Sequence, residues 1–512
     1  MPRYSRTIIT PVAGLEVGKP GALIDPRQSP NCLNVEILRS LIRKSRGGIL
    51  MGLPLGERIL AFGELNIEDV TNLVRVGPTK IQEWDGTTWN SVAHAALTGS
   101  VLSRVQFAYP ELSGTKIIAF TNFQDNIRKY TGSGNDADLG GSPPKARFIL
   151  NYRGYLMIAY VNDAGTIRRS RVQWSDTGDI ENWSSGDAGI VDLIEDDSDV
   201  TNLGYFGEYT CTHKEKSIYI GYLTGTDSVF RFDRKETGSG SVSGGPLVNL
   251  PTGEQLFLSR EGLRLFNGVT APEIESSINI DLSDTMNASY LFRSWGVHIP
   301  ELKEAWIGIP IGSSEEPDTI YKYNYRTQTV YKDHLKDGIT RASLFTLVDD
   351  DTWDSDDESW DSDTETWDSN AALALHKRVL WGVGDTGITV QRSNSANFNG
   401  EAIDSNWDGK DFTAADFQID DPEGRLMEWQ GIEIVARGTS VKVYYSTDEG
   451  ESWTLADTIS LGSSFPSDSS PLVAYFRTVS TKCRPRFVNN DTDGAFDIKQ
   501  FRMIAIPREE RQ

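Results

Sequence analysis

Cysteine, histidine and long apolar runs are all scarce in this chain of 512 residues, and each scarcity removes a class of protein. The three cysteines, Cys32, Cys211 and Cys483, are odd in number and far apart. That excludes a disulfide framework and a zinc-type cluster and points to folding in a reducing compartment. The five histidines, at 94, 213, 298, 334 and 376, form no His-x-x-x-His or similar pair, so no metal is assigned to them. No stretch of 18 apolar residues occurs, so no membrane span is expected. Residues 1–17 lack an apolar core with a small-residue cleavage site, so no signal peptide is expected either. P-loop, dinucleotide and Gly-x-Ser-x-Gly patterns are absent, and with them the commonest enzyme and cofactor signatures. Positive charge is also in deficit: 50 basic residues face 73 acidic ones, for a formal net charge of −23. A nucleic-acid binder would carry the opposite sign to attract phosphate. The expectation is a soluble acidic protein, not an enzyme, made in the cytoplasm.

What is present is β structure. Long helical periodicity is nearly missing, and short runs of β-branched and aromatic residues flank Gly, Asp and Asn turns. Hairpins are expected over 73–89 (turn Asp85-Gly86), 116–130 (Gln124-Asp125), 155–174 (162–165) and 217–232 (225–227). Three more are expected over 255–266 (Glu261-Gly262), 320–331 (Thr327-Gln328) and 379–390 (385–387). Their spacing, and the alternation of Tyr321, Tyr323 and Tyr325, predict an irregular β-propeller of six to eight blades over 51–400. A pair of stacked β-domains is the structural alternative. The Trp-Asp dipeptides at 84, 353, 360, 367 and 407 do not make a WD40 array, because their spacing is wrong and no Gly-His pair exists. Residues 1–50, with five prolines, read as an extended N-terminal arm whose basic cluster spans Arg39, Arg43, Lys44 and Arg46; 35–41 suits a short helix face or a hairpin. Residues 401–423 read as a linker, and 424–512 as a small C-terminal β-sandwich with strands near 431–436, 441–445, 471–479 and 498–506.

Residues 349–370 repeat Trp-Asp-Ser at a seven-residue period, with Trp353, Trp360 and Trp367 as its indoles. Eleven of these 22 residues are acidic and none is basic, so the run is no ordinary core element. An extended acidic strap presenting three aromatic anchors is expected; a disordered linker and a helix are the alternatives. Ser446-x-Asp448-x-Gly450-x-x-Trp453 matches the Asp-box turn of sialidases and other propellers: Ser and Asp bond turn amides, Gly permits positive φ, and Trp packs beneath the hairpin. The motif is structural and nearly silent about catalysis. A related turn runs from Trp174 to Trp183. Asn489-x-Asp491-x-Asp493-Gly494 is like the front half of a calcium loop, but position twelve is Gln500, so a strand-connecting turn is expected and no metal is assigned.

Several patches together resemble the tail nozzle, or packaged-DNA-stabilisation, proteins of short-tailed bacteriophages. They are Asp25-Pro26-Arg27-Gln28-Ser29-Pro30-Asn31-Cys32-Leu33-Asn34-Val35, then Ile42-Arg43-Lys44-Ser45-Arg46-Gly47-Gly48, the turn from Trp174 to Trp183, the run from Phe257 to Gly268, and the Trp-Asp-Ser strap. Ser45-Arg46 departs from the family's usual Arg-Pro-Gly type ending. The resemblance implies a hexameric ring below the head-to-tail adaptor, carrying tail fibres or spikes, with phage DNA passing through its lumen without specific binding. Its location would be the tail of the virion, and its role to retain packaged DNA and conduct it during ejection. An acidic wall suits that task, because it repels phosphate within about 8 Å at physiological salt. The arm cluster and the strap indoles are then the candidate assembly contacts. Two competing readings are a carbohydrate-active or carbohydrate-binding propeller and a receptor-binding or baseplate protein.

Overall fold

A computed structural model describes residues 4–5, 8–38, 40–67, 70–225, 228–274, 277–346, 377–417, 419, 423–466 and 470–508. Strands hold 51% of the residues and helices 3%, so the chain is all-β as its composition requires. The strands of all seven expected hairpins pair as expected, each hairpin in a different sheet, although residues 226–227 of the expected 225–227 turn lie outside the described residues. Turn chemistry fixes them locally. Asp85, for instance, accepts the Thr87 and Thr88 amides at 2.8 and 2.6 Å and holds the Asp85-Gly86 turn closed.

Among the described residues the first unit comprises seven mainly antiparallel sheets in chain order, here I to VII, which open with Ala61–Ile67, Gln106–Ala108, Lys145–Tyr152, Val200–Phe206, Leu247–Asn249, Trp295–Ile299 and Ile339–Thr346, besides a two-stranded ribbon of Glu111–Leu112 with Thr115–Lys116. Opening strands touch from sheet II onward, each packing on the next. Ile339–Thr346 of sheet VII then packs against Ala61–Ile67 of sheet I, and that strand meets Ile118–Thr121 of sheet II. Apolar clusters fill the spaces between neighbouring sheets, such as Leu65, Val74, Ile81, Ile118 and Phe120 between I and II. Each fully buried side chain of this size contributes about 1.5–3 kcal/mol. The strand Thr319–Asn324 is buried on both faces. Beside Tyr321 and Tyr323, the intervening Lys322 is also buried, paired with Asp333 and lying 4.5 Å over the Trp306 ring. A single solvent face, which the tyrosine alternation suggested, does not exist on this strand.

The C-terminal unit is two sheets around one core. One carries Met427–Gly438, Phe496–Pro507 and Leu472–Ser480; the other carries Ser405–Asp408, Lys482–Asn489, Ser440–Ser446 and Thr454–Ser460. Trp407 from one meets Phe501 from the other edge-on at 5.4 Å. Residues 405–408, expected in a linker, are thus a core strand, because Trp407 is wholly buried there.

The first 50 residues differ most from expectation. They are not an extended arm but short strands shared between both units. Val35–Ile37 and Ile42–Lys44 form a hairpin that joins Phe496–Pro507. Cys32–Leu33 bridges Thr329–His334 of sheet VI and Ser405–Asp408, merging the two units into one ten-stranded sheet. Gly48–Leu50 then enters sheet VII, antiparallel to Ile388–Arg392 on one side and parallel to Asn397–Phe398 on the other, with Glu401–Ala402 at the edge. The physical reason is that Ile9, Leu15, Cys32, Val35, Ile37 and Ile42 have their apolar partners in the C-terminal core, which an isolated arm would leave in water.

Candidate functional site

The described residues of the basic cluster serve as internal ties. Arg43 forms a bidentate pair with Asp497 at 2.7 and 3.0 Å, and Arg437 shares that carboxylate at 2.9 Å. Lys44 is buried and donates to Asn489 Oδ1 at 2.9 Å, to the Asp491 carbonyl at 2.9 Å and to the Gly494 carbonyl at 2.8 Å. The calcium-like loop at 489–494 therefore does hold a cation, namely the Lys44 ammonium. Burial pushes the Lys44 pKa down to about 8 against the pull of Asp491 and Asp404. Arg46 lies 3.6 Å from Glu36, which also pairs with Arg392. Burial would raise the Glu36 carboxyl, yet Arg392, Lys322 and Arg46 together hold it below its ordinary value. Arg39 and the indoles of Trp353, Trp360 and Trp367 lie outside the described residues.

The Asp-box turn forms as its residues dictate. Gly450 donates its amide to Ser446 Oγ at 2.9 Å with φ of +94°, and Ser452 donates to Asp448 Oδ1 at 2.9 Å. Hydrogen bonds from Ser446 and Ser452 hold the half-buried Asp448 carboxyl well below its usual range. Trp453 is half-buried and stacks on Arg486 at 3.7 Å. Nothing in this turn is poised for chemistry.

The concentration of unbalanced charge lies elsewhere. A cavity of about 310 Å³ is lined by residues at or next to the opening strands of all seven sheets. Its charged lining consists of Arg58, Arg104, Arg147, Arg293 and Arg341, with no carboxylate. Behind the wall, Glu316 pairs with both Arg58 and Arg293. Arg104, Arg147 and Arg341 have no carboxylate within ion-pair distance among the described residues. Arg104 reaches the Gly244 carbonyl, an approach that a side chain at Gly244 would block, and lies 5.8 Å from the Phe292 ring. Arg147 lies 3.9 Å over Tyr160 and 5.2 Å from Phe123. Both rings sit on left-handed backbone, φ 55° and 67°, a conformation costing about 1–3 kcal/mol for bulky residues. A second cavity of about 260 Å³ adjoins the first and shares Arg104, Arg147 and Phe292.

Burial and mutual repulsion mark the cluster electrostatically. Burial, then the charges of Arg341, Arg147 and Arg58, pushes the Arg104 pKa well down; burial and Arg58 push Arg341 to about 10. Neutral groups complete the wall: Asn202 donates to the Gly245 carbonyl at 2.8 Å, and Gln255 bonds Asn249 at 2.9 Å and the buried His213 at 2.8 Å. Sequence reasoning missed this cluster, because its arginines come from sheets far apart in the chain. The one available signal was an arginine recurring near the start of successive sheets.

No protein-family model matches the chain, and no curated protein sequence does. Solved structures resemble it only distantly. Raptor of Chaetomium thermophilum aligns at 10% identity and TM-score 0.41, over 68% of this chain and 29% of that one. BamB of Moraxella catarrhalis aligns at 9% and 0.37, over 68% and 100%. An exo-beta-1,3-galactanase of Phanerochaete chrysosporium aligns at 9% and 0.26, over 90% and 100%.

Proposed function

We propose that this chain is a non-enzymatic virion protein of a short-tailed phage, forming the tail nozzle beneath the head-to-tail adaptor. In this reading sheets I to VII are the blades of an irregular seven-bladed β-propeller, and the two-sheet unit is a sandwich fused to it. The observation that carries the proposal is the weave of residues 4–50 through both units. Residues 48–50 are inserted within sheet VII, 32–33 join sheet VI to the C-terminal sheet, and 42–44 are tied down by Asp497 and the 489–494 loop. A conduit under internal pressure needs subunits whose parts do not hinge, and this weave removes the hinge. The net charge of −23 supports a DNA path that repels phosphate rather than binding it.

Six copies would surround the lumen, contacting the adaptor ring above and fibres or spikes at the side. Quantitative mass spectrometry of purified particles is the test. About half as many copies as a twelve-membered adaptor supports the nozzle; three copies, many copies or none overturns it. A strongly basic lumen in the assembled particle would overturn the electrostatic part alone. The carbohydrate-binding reading gains one specific support, the arginine cavity, which suits acidic sugars. Saturable binding of acidic but not neutral glycans would favour it.

A further inference from the structure

We infer that the arginine cavity is a binding site for a small organic polyanion bearing phosphate or carboxylate groups. The inference does not depend on the nozzle reading. Three observations converge. Five arginines line one half-open cavity whose lining has no acid, although the chain as a whole carries 73 acidic residues. Two of the five share Glu316, so the positive excess falls on Arg104, Arg147 and Arg341. Unpaired charge inside a protein is costly unless something compensates it, and an oxyanion accepting forked N–H donors is the matching group.

Placement is also controlled. Arg147 is pinned between Phe123 and Tyr160, Arg104 against Phe292 and the Gly244 carbonyl. A guanidinium stacked on rings keeps its planar donor edge in a set direction, so little freedom is lost when an anion arrives. The space of about 310 Å³ lies at the lower end of small-ligand sites and is far too small for a nucleic-acid duplex. Several donors converging from sheets I, II, III, VI and VII favour an anion with more than one charge. Aromatic lining from Phe107, Phe292 and Trp295 gives room for an organic body beside the charged group.

The test uses the full chain and isothermal titration at fixed ionic strength, with pyrophosphate and citrate as probes and chloride as background. One-to-one saturable binding of at least one probe is expected, with pyrophosphate the tighter if phosphate is the natural group and citrate if carboxylates are. Arg147→Lys keeps the charge but loses the fork, and should weaken binding about tenfold, as should Arg341→Gln. Arg27→Gln, at an exposed pair with Asp25, should leave binding unchanged. Thermal unfolding supplies an independent readout. Without probe, Arg104→Gln should raise the midpoint by relieving like-charge repulsion, and saturating probe should abolish that advantage. Failure of both probes to bind below about 10 mM, or binding equal in all cavity variants, overturns the proposal.

Discussion

Lys44 fills the place where residues 489–494 are shaped to receive a cation, its ammonium held by three acceptors. Lys44→Met should therefore cost about 2–4 kcal/mol, because Asn489 and two carbonyls lose their donor in a buried place. Urea midpoints measure the loss, and added calcium should leave the parent's midpoint unchanged. His213 makes a second prediction. Its Nε2–H donates to Gln255, whose amide is oriented by the Tyr205 carbonyl and Asn249, while Nδ1 has no partner. Burial pushes its pKa down to about 4 from an ordinary 6.5. The unfolded chain thus takes up the proton first as pH falls. Stability that is full above pH 6.5 is lost progressively down to pH 4, by at most about 3 kcal/mol from this residue. A His213→Gln variant should lose less between pH 7 and 4 in the same urea titration; equal losses would rule out this assignment.

At the scale of elements, Gly47-Gly48 sets how Gly48–Leu50 fits between its two neighbours in sheet VII. A Cβ on Gly47 would lie 1.7 Å from the Asn397 carbonyl oxygen, and one on Gly48 2.5 Å from Val390. Only glycine lets this strand lie against both neighbours, which explains the glycine pair after the basic cluster. Gly47→Ala should destabilise by about 3 kcal/mol or more, since backbone rather than a flexible tip must move. A shift in thermal midpoint of under 1 °C would contradict that. The Trp-Asp-Ser run enters between Ile339–Thr346 and Lys377–Val383, which pair directly from Ile339 with Val383 to Thr346 with Lys377. Replacing 349–370 by a short Gly-Ser link should leave the thermal midpoint nearly unchanged. Under the nozzle proposal the same change should lower particle yield or genome retention, separating a folding role from an assembly role.

For the whole molecule, the hairpins were legible because each depends on a few adjacent residues: a turn former, a glycine, and flanking β-branched or aromatic side chains. The seven turns and the strands over 427–438, 440–446, 472–480 and 496–507 follow that rule. What could not be read was any partnership across long separations. Pro-rich residues 4–50 looked like an arm because their partners are at the other end of the chain; Arg43 meets Asp497 and Lys44 meets Asn489. Residues 405–408 looked like a linker because Gly, Asn and Asp surround one decisive Trp407. The arginine cavity was invisible for the same reason. Deleting residues 1–50 should accordingly give insoluble protein rather than a trimmed fold, since it bares the Ile388–Arg392 edge and the core around Val35 and Ile42. Recovery of a soluble, cooperatively unfolding product would contradict this.

Composition and local pattern by themselves determined an all-β chain, its turns and its acidic balance, because these depend on neighbours within a few residues. Only the tertiary structure decided which cation fills the 489–494 loop, which N-terminal strand inserts into sheet VII, and that five distant arginines share one cavity. Those outcomes rest on burial and ion pairing between segments hundreds of residues apart, where loop closure must be offset by contacts that no local pattern records.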